Sequence, residues 1–392
     1  MGEAYIVGAL RTATGKNRGR LSQIHPVDLG AKLIDGLLEQ VAIDPELVDD
    51  LIFGCVSQSS EQAGNVGRNV ALASNLGESV PGVSVDRQCG SAQQAIHFAA
   101  QAVMSGTQDI VIAGGVESMS RVPMGSAVED GADKGRGDPK SERLEERYPG
   151  VEFSQFMGAE LLAKKYDIKR EDLNVFAYES HMRATAATES GKFREEIMPI
   201  ELTLENGDLF IHDADEGIRP NSSVEAIAGL EALAPGGVIS AGSASQISDG
   251  SAAIMIANED AVKKHGLKPR ARIHTLAVIG SDPVIMLEGP IPATKKALER
   301  AGLSIDDIDL YEVNEAFGSV PLAWLKGVGA DPEKLNVNGG AQANGHPLGC
   351  TGAKLMTTLL NELERRKGRY GLLAICEGGG TANATIIERL DS

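Results

Sequence analysis

Two stretches of this chain repeat one order of elements, and that repetition limits the fold more than any other feature. "LGAKLIDGLLEQVAIDPELVDDLIFGCV" reads as an amphipathic helix, a turn containing proline, and a strand from Leu51 to Cys55. "IPATKKALERAGLSIDDIDLYEVNEAFG" repeats helix, turn and strand, the strand running from Leu310 to Val313, so that Cys55 falls opposite Asn314. A second pair follows. "VSVDRQCGSAQQAIHFAAQAVMSGTQDIVIAGG" gives strand, small-residue turn, helix, strand and a glycine pair. "LNVNGGAQANGHPLGCTGAKLMTTLLNELERRKGRYGLLAICEGGG" gives the same order with a longer turn. Cys89 and His346 then hold similar places in the two units. The expected architecture is α/β: two duplicated halves whose sheets face each other.

At 392 residues the chain is too long for one simple core, so two or three domains are expected. The boundaries implied are 1–118 with 240–268 for the first half, 119–239 for an insertion, and 269–392 for the second half. The insertion opens with a glycine-rich, charged passage, "EDGADKGRGDPKSERLEERYPG", which suits a surface excursion. It continues with two helical stretches and a polar strand near "DLFIHDADEG", and such a segment can serve as a lid or an assembly arm.

A formal net charge of −18 argues against a nucleic-acid surface. No apolar run reaches membrane-spanning length, and "MGEAYIVGALRTATGK" reads as a first strand rather than a signal peptide. The four cysteines, Cys55, Cys89, Cys350 and Cys376, are scattered and lack metal-ligand spacing. Free thiols, a reducing cytoplasm and no metal are therefore expected.

Three positions carry candidate chemistry. Cys89 stands at the entrance of a small-residue helix, where unpaired N–H groups and the helix dipole favour a thiolate. Gly90 and Ser91 leave room above the sulfur. His346 lies in "NGGAQANGHPLGCTGAK", where Pro347 biases its backbone toward extension and the glycines permit close approach of a ligand. Cys376 ends an apolar strand before three glycines, a place where backbone N–H groups meet anions or a developing oxyanion. Taken singly, each is equally an inert cysteine or an ordinary loop histidine.

Taken together, "RTATGK", "VDRQCGSAQQA", "SASQISDGSAA", "NEAFG", "NGGAQANGHPLGCTGA" and "CEGGG" resemble the thiolase family, in family order and over most of the chain. The resemblance implies a layered α-β-α-β-α arrangement of two βαβαβαββ halves with an inserted loop domain. It implies acyl transfer without metal or tightly bound cofactor, with CoA as substrate and CoA thioesters as the partners. Cys89 would carry the acyl group, His346 would help deprotonate it, and Cys376 would move a proton at the α-carbon of acetyl-CoA. Asn314 would hold a water that forms one oxyanion hole with His346, while the N–H groups of Cys89 and Gly378 would form the other. Ser245 would lie along the pantetheine arm and Arg219 near the nucleotide, with Met157, Phe317, Gln342 and Asn344 around the substrate. A homodimer or homotetramer is implied as well.

Departures from the family pattern bear on the substrate. Gln342 and Asn344 replace apolar residues before Gly-His-Pro, and Ala92 replaces a glycine. Phe156 precedes Met157 where short-chain enzymes carry histidine, which favours a bulkier acyl group. "VDRQCGS", "PIPAT" and "CEGGGTANATIIERL" resemble most the bacterial thiolases of steroid-type catabolism, with fatty-acid β-oxidation as the rival. A biosynthetic thiolase uses the same residues in reverse. A ketoacyl synthase pairs its cysteine differently, and a non-catalytic CoA-binding relative would be expected to have lost one of the three residues.

Overall fold

The computed structural model describes residues 2–204 and 206–390. Its main sheet holds the duplication strand for strand. In the first half the order is Gly82–Val85, Asp50–Gly54, Ile110–Ser118, Ser248–Ala257, Tyr5–Thr12. In the second it is Leu310–Val313, Tyr370–Glu377, Thr381–Arg389, Ala271–Gly280, and Leu335 bridges to Tyr311 where the first half has its edge strand. Moving inward from that edge, both halves pair parallel, parallel, antiparallel, antiparallel. Each innermost strand also carries the same bulge, between Ile6 and Gly8 in one half and between Ile273 and Thr275 in the other. The two halves join where Tyr5 pairs with Arg272, its own counterpart in the duplication. A residue meeting its own equivalent is the signature of a two-fold relation.

Three apolar clusters fix the layers. One lies between the sheets and is built from helices Ser91–Ser105 and Thr351–Arg366 with inward residues such as Ile6, Val111, Ile254, Ile273 and Ile375. The other two lie outside. Helices Pro26–Val41 and Val66–Ala73 cover the first sheet through Leu33, Ile34, Leu37 and Val70. Helices Pro290–Ala301 and Ser319–Val328 cover the second through Ala297, Leu298, Val320 and Trp324. The order is helix, sheet, helix, sheet, helix, as the resemblance implies.

The central helices are buried on nearly every side, which explains their small residues. Ala92, Ala95, Ala99 and Ala100 are fully buried on one, and Gly352 and Ala353 open the other. A Cβ at Gly352 would collide with the backbone N of Gln93, so the two helices cross at backbone distance there.

The segment between strands Ile110–Ser118 and Ser248–Ala257 leaves the first half and packs over the second. Its charged opening is not wholly irregular, because Ser126–Asp133 and Glu142–Arg147 are short helices. Leu162, Leu173 and Phe176, from helices Gln155–Lys165 and Arg170–Glu189, join the cluster that contains Phe317 and Trp324. A hairpin of Ile200–Thr203 and Leu209–His212 follows. Arg11 ties the segment down from the first strand: its Nε donates to Glu196 at 2.7 Å and its Nη1 to Asp215 at 2.8 Å, all three buried. Burial opposes charge on Asp215, but Arg11 and Lys354 hold its carboxyl below the usual range. Among the described residues no helix is long and apolar enough to cross a membrane.

Gly352→Ala should force the central helices apart and cost about 1–3 kcal/mol, the usual range for overpacking. Urea denaturation of the variant beside the native chain checks this, and an unchanged midpoint would contradict the close crossing.

Candidate functional site

Cys89 sits in a tight turn between strand Gly82–Val85 and helix Ser91–Ser105. Gln88 takes the left-handed conformation, φ 51°, unusual for a residue with a side chain. Local hydrogen bonds hold it there. The Gln88 N–H donates to Asp86 Oδ1 at 2.7 Å, and Ser91 Oγ accepts from the Arg87 N–H at 2.9 Å while donating to the Gln88 carbonyl at 2.6 Å. Gly90 is the N-cap, so Cys89 stands one residue outside the helix.

The expected ready thiolate is not the resting state. Burial pushes the Cys89 thiol up to about 12; the nearby Glu377 adds to the shift, and a backbone hydrogen bond opposes it only in part. Desolvation outweighs the helix terminus because the sulfur lies in a dry layer. Cys376 is the last residue but one of strand Tyr370–Glu377 and is buried; burial, then Cys89, then Glu377 raise its thiol well above the ordinary value. The effect of Cys89 on Cys376 places the second sulfur within reach of charge on the first.

His346 is pinned on both ring nitrogens. Nδ1 lies 2.6 Å from Thr351 Oγ1, and Nε2 lies 3.3 Å from Asn314 Nδ2. Thr351 Oγ1 donates its proton to the Pro347 carbonyl at 2.8 Å, so toward His346 it accepts. Nδ1 therefore carries the proton, and Nε2 keeps its lone pair facing the Asn314 amide. Burial, then Lys354, lower the imidazole to about 3, so it is neutral at ordinary pH. A neutral imidazole whose unprotonated Nε2 is held only by a long amide hydrogen bond can still act as a base.

The support beneath this pair was not anticipated from the sequence. Glu117 accepts from the N–H groups of Val56 at 2.9 Å, Ser57 at 3.0 Å and Gly349 at 2.8 Å, and from Gln62 Nε2 at 2.8 Å. One buried carboxylate thus pins the His346 loop to the loop after strand Asp50–Gly54. Glu315 does the same behind Asn314, accepting from Ser180 Oγ at 2.8 Å, Asn336 Nδ2 at 2.9 Å and the Gln342 N–H at 3.1 Å. Both acids interrupt small or apolar runs, "IAGGVESM" and "YEVNEAFG", and that interruption was the available signal.

Two adjoining cavities meet here. The larger, about 720 Å³, is lined by His346, Phe317, Phe156, Ser245 and Arg219 among others. The smaller, about 370 Å³, is lined by Cys89, Gly378, Val56, Phe153 and Met286 among others. Met124, Gln155 and Leu348 line both. Asn314 and Cys376 lie just behind the walls. Three expected substrate contacts line neither cavity. Met157 is exposed, and its neighbour Phe156 takes the place, meeting Phe317 edge-on at 5.5 Å between ring centres. Gln342 and Asn344 are buried in helix Ala341–Asn344, where Gln342 Nε2 donates to the Ser243 carbonyl at 3.0 Å and Asn344 Nδ2 reaches the Asn338 carbonyl at 3.5 Å. Their amides stitch loops together instead of facing a ligand. Among the described residues no group of three or more His, Cys, Asp or Glu side chains is placed to hold a metal ion.

Two duplicated halves meeting at two thiols and a clamped imidazole define an acyl-transfer enzyme of the condensing-and-cleaving type. Comparison with known proteins gives the family. The thiolase N-terminal domain model matches residues 4–260 and the thiolase C-terminal domain model matches residues 267–389. Steroid 3-ketoacyl-CoA thiolase FadA6 of Mycobacterium tuberculosis is 55% identical, over 100% of this chain and 95% of that one. The 3-ketoacyl-CoA thiolases of Serratia proteamaculans and Pseudoalteromonas translucida are each 42% identical over the full length of both chains. The chain belongs to the thiolase family and is an acyltransferase.

The buried histidines make the fold acid-sensitive. His346 and His97 are lowered to about 3 and His181 to about 4, chiefly by burial. In the unfolded chain each titrates near 6.5, so between pH 6.5 and the folded values the unfolded state binds more protons. The histidines' contribution to stability should therefore fall as pH drops below about 6.5, by up to about 2 kcal/mol per buried histidine at pH 5, against an opposite contribution from buried carboxyls such as Glu312 and Glu377, which burial raises. Denaturant midpoints at the two pH values test this, and His97→Gln should flatten the dependence.

Proposed function

We propose that this enzyme cleaves 3-oxoacyl-CoA thioesters with CoA, releasing acetyl-CoA and a shortened acyl-CoA. The observation that carries the mechanism is the clamped, neutral His346, whose unprotonated Nε2 accepts from Asn314 Nδ2 and lies beside the cavity that adjoins the one lined by Cys89. Cys89 Sγ gives its proton to His346 Nε2 and attacks the 3-carbonyl carbon. The N–H groups of Cys89 and Gly378 receive the developing oxyanion. As the Cα–Cβ bond breaks, the electron pair passes into the acetyl-CoA enolate, whose oxygen faces Asn314 and the now protonated Nε2. Cys376 delivers a proton to the enolate carbon, and acetyl-CoA leaves. A second CoA thiol gives its proton to the Cys376 thiolate and takes the acyl group from Cys89, whose sulfur recovers its proton from His346.

The larger cavity suits CoA, with Ser245 along the pantetheine arm and Arg219 toward the phosphates. The smaller suits the acyl group. Beside the amides of Gln88 and Gln155, its side chains Val56, Met124, Phe153, Met286 and Leu348 are apolar, and no charged group lines it. Exposed Met124, Phe156, Leu233 and Ile247 continue an apolar rim around the larger cavity. That rim, together with the relative named for steroid substrates, favours bulky polycyclic or branched acyl groups over short linear ones. The segment 119–239 would act as a lid over CoA and as the contact between copies of a homodimer or homotetramer. A soluble, cytoplasmic enzyme using CoA without a bound cofactor fits this scheme.

Mixing the protein with acyl-CoA should add the acyl mass to Cys89, and Cys89→Ala should abolish both the adduct and turnover, by a factor of at least about 10⁴. Near-native turnover in that variant would refute the scheme. Cys376→Ser should keep the acyl adduct while slowing exchange of acetyl-CoA α-protons about 10²-fold or more; equal loss of both half-reactions would remove its assigned role. CoA consumption across linear, branched and polycyclic 3-oxoacyl-CoAs tests the substrate class, and a preference for acetoacetyl-CoA would overturn it.

A further inference from the structure

Glu377 follows Cys376 in the strand, and the scheme above gives it no part. Its side chain is fully buried where the two halves meet. It occupies the space that a side chain on Gly90 would take: a Cβ built there would overlap Glu377 Oε1. The carboxyl group therefore lies directly behind the turn that carries Cys89. Neither of its oxygens has a hydrogen-bond partner among the described residues. The Thr381 hydroxyl and the Asn383 N–H approach closely enough to favour its charged form, but not in hydrogen-bonding geometry.

Few charges face this group. From the Cys89 turn come Cys89 itself and Arg87, whose cation acts on Glu377 from beyond hydrogen-bonding distance. From its own strand comes Cys376. Strand Thr381–Arg389 offers only the uncharged Thr381 and Asn383 at this level. Asp86 and Glu117 add negative potential at Cys89. Burial raises the carboxyl to about 8, with Thr381, Arg87 and Asn383 pulling it only partly back, so near neutral pH it is mainly the uncharged acid.

We propose that Glu377 is a positioning residue that gates the reactive thiol: as a neutral acid it allows Cys89 to pass its proton to His346, and as a carboxylate it blocks that transfer. The reason is electrostatic. Two anions sharing one desolvated pocket repel strongly, so thiol and carboxyl ionise in competition. As pH rises, Glu377 loses its proton first and lifts the thiol further. Alkali, which activates an ordinary cysteine, would here hold this one back. The proposal rests on Cys89 being the nucleophile.

Iodoacetamide alkylation of Cys89, followed by mass spectrometry from pH 6 to about 9.5, tests the gate. An unconstrained thiol reacts about tenfold faster per pH unit below its own pKa. In the native enzyme the rate should climb, then level off above about pH 8, whereas Glu377→Gln should keep climbing and react about tenfold faster at the alkaline end. The alkaline limb of kcat/KM should move up by about one pH unit in the same variant. Superposed profiles, or a native rate that climbs without a break, would overturn the proposal. Should Glu377→Gln not fold, Glu377→Met should show the same continued climb, and levelling at the native pH in that variant would overturn the proposal. If neither protein labels at Cys89, or neither forms an acyl adduct there, the nucleophile assignment has failed rather than the gate.

Discussion

Everything at this site depends on how closely the two central helices cross. Because Gly352 meets the backbone of Gln93, the turn before one helix and the loop before the other are drawn into a single dry layer between the sheets. Cys89 comes from the first, His346 from the second, and the strand ending at Cys376 closes the third side. A wider crossing would admit water and separate the groups. The glycines and alanines of these helices serve that approach more than any helical preference.

Burial then sets the character of the chemistry. Neither sulfur rests as a thiolate, and the imidazole rests neutral, so the site stores no ion pair. In the proposed scheme charge would arise only as a substrate carbonyl accepts the thiol's electrons, and the N–H groups of Cys89 and Gly378 and the clamped His346 would meet it. In a low-dielectric layer those fixed dipoles act more strongly than they would in water. The buried acids Glu117 and Glu315 supply the rigidity, each collecting donors from separate loops. Glu377 differs from both in having no hydrogen-bonded donor among the described residues, so under the proposal its ionisation is felt by the thiols.

The insertion links fold to substrate. It leaves the first half, is held by Arg11 through Glu196 and Asp215, and lays Phe156 and Arg219 along the larger cavity. Its packing against Phe317 and Trp324 belongs to the second half. The larger cavity is thus walled by all three parts of the chain, and Met124, Phe156 and Leu233 of its apolar rim lie on the part least constrained by the duplication.

The sequence by itself determined the architecture and singled out the candidate residues Cys89, His346 and Cys376. Alternating apolar runs and glycine turns are local signals, and their repetition gave both sheets, strand Leu310–Val313 to the residue, and the placing of Cys55 opposite Asn314. Cys89, His346 and Cys376 were legible because each ends or begins an element beside glycine. Tertiary structure alone decided their protonation, since desolvation depends on what surrounds a group and not on its neighbours in the chain. It also decided which residues face the substrate. Gln342 and Asn344 stand next to His346 in sequence, yet helix Ala341–Asn344 turns them into the protein, while Phe156 rather than Met157 reaches the cavity because the rotation of helix Gln155–Lys165 is set by its packing on the second half.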